Sequence, residues 1–227
     1  MRHRLGWFAL VIAVVVVGYP GFRVARAKLF PRRYAVASIA ETPEYQDPLL
    51  LERAWSLPVA ARYGHRIDPQ RNISMCGPTS AANVMRSLGS GTATVDDVLA
   101  GSGRCRWFGY CWNGLTLGEL AQLVRAKTDR RVRVIRDLTL AQFREEMARS
   151  NDANRRYIVN FNRGLLFGRG GGHHSPVGGY LADRDLVFVL DVNSSFGPWL
   201  VSTARLFQAV DSIDPDSGAK RGLIVVE

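Results

Sequence analysis

Cys76, in the stretch "NISMCGPTSAANVMRSLGSG", is the side chain best placed to do chemistry. Pro78 suits the first turn of a helix, where its missing N–H costs nothing, and Gly89 suits the position just past the end. Ala81, Ala82, Val84, Met85 and Leu88 fall near helical spacing for a buried face. Cys76 thus sits at a helix N-terminus, where unpaired N–H groups and the helix dipole favour an anion, so the thiol pKa should fall and a nucleophilic thiolate become available. Elsewhere a cysteine is more often just a small core residue. For acyl transfer the thiolate needs a base and a group that orients the base, both distant in sequence. Residues 170–180, "GGGHHSPVGGY", supply two histidines. Adjacent histidines behind a glycine run read three ways: as metal ligands, as half of a catalytic pair, or as packing. Neighbours on an extended strand point to opposite faces, so at most one of His173 and His174 is expected to face the cysteine. Asp191, at the end of "LVFVLDV", is placed to bond the ring of a histidine at the start of the preceding strand.

The elements that must hold these residues are legible in outline. "HSPVGGY" and "LVFVLDV", separated by the polar turn "LADRD", predict a hairpin. Thr116 with Glu119, and Thr139 with Gln142, have the spacing of capping boxes and mark the starts of two helices. Helix-like and strand-like stretches alternate from about residue 65 to Glu227, which implies an α+β fold. Residues 34–64, with Pro43, Pro48 and Pro58, read as a tether and lead-in. "GRGGG" at 168–172 fails as a phosphate cradle because it leads into a strand instead of opening a helix. Cys105 and Cys111 in "CRWFGYC" fit a disulfide, a thiophilic metal pair or two reduced thiols equally, and the aromatic residues Trp107, Phe108, Tyr110 and Trp112 around them read as packing.

The net charge of +10 would suggest nucleic acid if it covered a folded surface. Seven of the 30 bases lie within the first 33 residues, which carry no acid, leaving 23 bases against 20 acids for the rest. Nucleic acid is therefore not an expected partner. Leu5 to Phe22 is 18 residues without a charge, close to the roughly 20 that cross a bilayer as a helix. Residues 1–33 read as a signal anchor or signal peptide, the anchor favoured, with an A-x-A pattern at Ala25 and Ala27. The domain is then membrane-anchored or periplasmic. Five bases on the C-terminal flank leave the side of the membrane open.

The runs "CGPTSAANVM", "LTLGELAQLV", "FREEM", "FNRGLLFGRGGGHHSPVGGYLADRDLVFVLDV" and "LFQAVDSIDPDSGAKRG" resemble the catalytic domain of phytochelatin synthases. These are papain-like cysteine transferases acting on glutathione, and the resemblance covers roughly residues 65–226 of a 65–227 catalytic domain. It implies a helix bearing the nucleophile packed on an antiparallel sheet. Its most specific string, His-x-Ser-Pro-x-Gly-Gly-Tyr followed by an Asp 18 positions on, sets the register: His173 matches the base, and His174 stands where the family has Phe. By the same resemblance Cys76 matches the nucleophile, Asp191 the orienter of His173, and Gln70 the side-chain donor to the oxyanion. Arg163, Gly172, Asp214 and Arg221 match positions that hold the γ-glutamyl end of the substrate.

The resemblance implies cleavage of the Cys–Gly bond of glutathione through a γ-glutamylcysteinyl thioester, passed to water or to a second glutathione. No tightly bound cofactor and no dedicated metal site are expected; Cd²⁺ or Zn²⁺ would activate by occupying glutathione thiols. Expected partners are glutathione, the membrane through the N-terminal segment, and a second copy of the chain as a homodimer. Three departures from the family stand out: Ser194 replaces an arginine in "DVNS", "SFGPW" shortens the segment after it, and Met75 precedes the nucleophile where an aromatic residue is common. The resemblance implies a short bacterial-type form that ends with the catalytic domain. A papain-like leader peptidase cutting after Gly-Gly, and a binding protein that has lost catalysis, are the alternatives.

Overall fold

The computed structural model describes residues 34–89, 93–105, 110–111 and 113–227. The expected membrane segment 1–33, with Trp107, Phe108 and Trp112, lies outside the described residues. Among the described residues no helix is long and apolar enough to cross a membrane.

An antiparallel sheet of six strands forms the centre, in the order β1 (Val132–Ile135), β6 (Gly222–Val226), β2 (Arg156–Asn162), β3 (Gly172–Leu181), β4 (Leu186–Val189), β5 (Trp199–Ser202). The chain is α+β. Alternating residues divide the sheet between two cores. Ile158, Ile224 and Val226 face α2 (Cys76–Ser87), α3 (Val95–Leu99) and α4 (Leu117–Arg125). Tyr157, Val159, Phe161, Leu223 and Val225 belong to the opposite core, with α5 (Leu140–Arg149), α6 (Arg163–Phe167) and α7 (Thr203–Val210).

Helix starts follow the side-chain chemistry. Thr116 and Thr139 each accept from the backbone N–H three residues on, and Glu119 and Gln142 reach back to close the capping boxes of α4 and α5. Helix α2 ends before Gly89, whose φ of +80° needs a glycine. From Cys76 to Met85 it is buried on every side, a wider burial than the single apolar face its sequence suggests.

Residues 34–64 differ from the tether expected of them. Helix α1 (Pro48–Trp55) is capped by Asp47, and Ile39 and Tyr45 enter the core over α6 and α7. Ala54, Val59, Ala60 and Tyr63 form a third cluster against Leu181, Phe188 and Leu200. Prolines and short apolar runs hide this packing from a periodicity argument because no single element is long enough to repeat.

Candidate functional site

Cys76 opens α2 with no side chain capping the helix, so the first-turn N–H groups remain available to an anion. The preceding loop is tied down: Asn72 Oδ1 accepts from Ser74 N–H at 3.0 Å and Ser74 Oγ at 2.7 Å, and Ser74 Oγ accepts from Cys111 N–H at 3.1 Å. Cys111 is disulfide-bonded to Cys105, which settles the three readings of that pair, and its sulfur lies 3.5 Å from Met75 Sδ.

The hairpin brings the other side chains to this helix end. Strand β3 pairs with β2 so that His173 lies opposite Phe161 and His174 opposite Asn160. The Asp191 carboxylate is fully buried and accepts four donors. Oδ1 takes His173 Nε2 at 3.0 Å and Asn193 N–H at 2.9 Å, Oδ2 takes Trp199 Nε1 at 2.9 Å, and Arg163 Nη2 lies 2.7 Å from both oxygens.

Their ionisation is coupled. Burial pushes the Cys76 thiol up, but the charge of His173 and hydrogen bonds from His173 and His174 outweigh it and hold the thiol well below its ordinary range. Burial and Arg163 push His173 down, while Asp191 and the thiolate raise it above an ordinary imidazole. Asp191, raised by burial, is carried far below the usual carboxylate range by His173 and Arg163. Together these directions favour a thiolate–imidazolium pair over two neutral groups, with Asp191 as carboxylate.

Both histidines act on the thiol, contrary to the expectation that only one would. His174 Nδ1 is 3.9 Å from Cys76 Sγ.

The remaining predicted residues are distributed as follows. Gln70 is anchored by its N–H to the carbonyl of Val192 at 2.7 Å, and its Oε1 is buried without a partner. Arg163 is drawn into the Asp191 ion pair and lies over the Phe196 ring, 3.9 Å from its centroid; its Nη1 is buried without a partner. Arg221 donates through Nη1 to Asn160 Oδ1 at 3.0 Å and through Nη2 to Asp214 Oδ1 at 3.3 Å, leaving Nε buried and unbonded. Gly172 lies flat on the Arg221 guanidinium, where any Cβ would collide. Asn160 and Trp199 escape sequence reasoning, although a lone amide inside the apolar run "YIVNF" is the trace Asn160 leaves.

Among the described residues no three His, Cys, Asp or Glu side chains are grouped to hold a metal ion. Beside Asp191 a cleft of about 240 Å³ is lined by Trp55, His65, Ile67, Pro69, Ser194 and Pro198.

Residues 49–223 match the family model described as phytochelatin synthase. Similar proteins include glutathione gamma-glutamylcysteinyltransferase 2 of Arabidopsis thaliana, 29% identical over 173 residues, which are 69% of this chain and 37% of that protein. Glutathione gamma-glutamylcysteinyltransferase 3 of Lotus japonicus is 34% identical over 117 residues, 50% of this chain and 24% of the relative. The chain thus spans well under half the length of these plant relatives. A putative C39-like peptidase from Bacillus anthracis superposes with a TM-score of 0.52 at 15% identity, covering 73% of this chain and 95% of that one. That likeness is one of fold: a papain-like arrangement, with the helix that begins at the cysteine lying on an antiparallel sheet.

Proposed function

The chain belongs to the phytochelatin synthase family, and we propose that it cleaves the Cys–Gly bond of glutathione by thiol-dependent acyl transfer. The observation that supports this best is the buried Cys76–His173–Asp191 set, with its thiol driven down and its imidazole driven up. In this reading the Cys76 sulfur attacks the carbonyl carbon of the cysteinyl residue. A C–S bond forms and the carbonyl electrons move to oxygen, which the Cys76 N–H and the Gln70 side chain stabilise. The C–N bond to glycine then breaks while His173, held through Nε2 by Asp191, gives the proton on Nδ1 to the leaving amine. A γ-glutamylcysteinyl thioester remains. Water, deprotonated by His173, or the α-amino group of a second glutathione then takes the acyl group and restores the thiol.

Two buried guanidinium nitrogens without partners, Arg163 Nη1 and Arg221 Nε, with Asp214 beside the second, supply donors for a carboxylate and an acceptor for an ammonium. A γ-glutamyl end carries both groups. Arg163 can serve substrate with one nitrogen while the other keeps Asp191. Cd²⁺ or Zn²⁺ acts in this reading through the substrate's own thiolates. The N-terminal segment attaches the domain to a membrane, and the Cys105–Cys111 disulfide favours an oxidising compartment. The test is product analysis with glutathione, with and without Cd²⁺, beside a Gly-Gly leader peptide. Release of glycine and γ-glutamylcysteine from glutathione supports the reading; cleavage of the leader peptide alone replaces it with the peptidase.

A further inference from the structure

His174 is buried, and the cross-strand pairing of β2 with β3 sets it opposite Asn160, also buried. The orientation of that amide is dictated from its far side. Arg221 Nη1 donates to Asn160 Oδ1 at 3.0 Å, and a guanidinium can only donate. Asn160 Nδ2 therefore faces His174, 2.8 Å from Nε2 and 3.3 Å from Nδ1, with the His173 carbonyl at 3.4 Å. Because Nδ2 lies close to both ring nitrogens at once, it sits over the face of the imidazole and not along either in-plane lone pair, so it positions the ring without choosing its tautomer. The ring atom this leaves facing the nucleophile is Nδ1, 3.9 Å from Cys76 Sγ, and a thiolate can only accept.

We propose that His174 is a second hydrogen-bond donor, through Nδ1, to the Cys76 thiolate, its ring held at the sulfur by the chain of contacts Arg221–Asn160–His174. The proposal rests on Cys76 being the nucleophile and adds a division of labour between the two histidines. His173, bonded to Asp191, exchanges the proton with the leaving and entering groups. His174 donates to the sulfur and stabilises its negative charge. That charge is present before attack and returns when the thioester C–S bond breaks and its electron pair goes back to sulfur. A donor held at that sulfur makes it a better leaving group, so His174 promotes release of the acyl group to the acceptor. The other titratable and charged groups around the thiolate are His173 on the same strand, with Asp191 and Arg163 behind it, and Arg221, just before β6, with its partner Asp214 from the loop after α7.

Two measurements on the full chain test this. Side-chain nitrogen NMR of the wild type should show His174 protonated on Nδ1 at neutral pH. The pH dependence of Cys76 alkylation by iodoacetamide should move upward by about one pH unit in His174→Phe, a roughly tenfold loss of thiolate on the acid side. His174→Gln, which keeps an N–H donor, should lie between the two. A His174 ring with no proton on Nδ1, or a His174→Phe profile that superimposes on the wild type, overturns the proposal. If His174→Phe does not fold, the protonation of Nδ1 in the wild type decides alone. Neither readout uses glutathione, so a wild type with the expected Nδ1 proton and thiol titration but no glycine release would sink the proposed reaction and leave the role of His174 standing.

Discussion

Asp191→Asn tests how far the site is also a structural anchor. The wild-type carboxylate is fully buried and accepts from Arg163, His173, Trp199 and Asn193. An amide of the same shape has one oxygen, which can satisfy about two of those donors, and its NH₂ group is set against the others. Removing one partner of a buried ion pair costs about 3–5 kcal/mol, chiefly because Arg163 would keep its charge without a counterion. At about 2–4 °C per kcal/mol for a domain of this size, Tm should fall by roughly 6–20 °C. Arg163→Met leaves Asp191 with three donors and should cost less. The double variant should be more stable than the two single losses predict, by about 2–3 kcal/mol of coupling. Activity should fall about 10³- to 10⁴-fold in Asp191→Asn, since an amide presents the wrong partner to His173 Nε2. Thermal melts of the four proteins by calorimetry, with glutathione turnover alongside, measure both effects. A melting temperature within about 2 °C of the wild type would refute the anchoring argument, and additive losses in the cycle would refute the Arg163–Asp191 coupling.

Ser194→Arg should raise the ratio of phytochelatin to γ-glutamylcysteine made with Cd²⁺. It would place a guanidinium in the cleft beside Asp191, where one charged hydrogen bond of about 1.5–3 kcal/mol would tighten an acceptor carboxylate about tenfold or more. An unchanged ratio would show that acceptor binding is set elsewhere. The kcat/KM profile should extend to more acid pH than an ordinary thiol at about 8.5 allows, because the depressed Cys76 remains a thiolate there. On the alkaline side it should fall as His173 loses its proton above the ordinary imidazole value; an acid limb at the ordinary thiol value would contradict the ion pair. Deleting residues 1–33 should leave a folded, active domain. Deleting to Gln46 should not, because it strips Ile39 and Tyr45 from the core at about 1.5–3 kcal/mol each. Melting curves and turnover of the two truncations distinguish these outcomes.

The α+β class, the Cys76 helix with Pro78 and Gly89 near its ends, and the β3–β4 hairpin were legible because each leaves a local mark: a cap, a period or a turn. The encounter of His174 with the sulfur was not. Strand parity sets the two histidines on alternate positions opposite Phe161 and Asn160, but it cannot tell that His174, and not only His173, meets the end of the Cys76 helix. Arg163 shows a similar limit. Its residue type suits a carboxylate, and only the fold reveals that the carboxylate it meets in this structure is Asp191. Residues 34–64 were misread as a tether because their contacts lie with strands more than a hundred residues away. Asn160, whose importance comes wholly from its neighbours Arg221 and His174, has no sequence pattern of its own beyond being polar in an apolar strand.

The central claim, a thioester on Cys76, is tested most directly by rapid mixing of the full chain with glutathione, followed by acid quench and intact-protein mass spectrometry. The account predicts a burst of glycine stoichiometric with enzyme and a γ-glutamylcysteinyl adduct that peptide mapping places on Cys76. The adduct should be absent from Cys76→Ser and should decay as γ-glutamylcysteine or phytochelatin appears. Glycine release with no adduct on Cys76, or release that persists in Cys76→Ser, would contradict it.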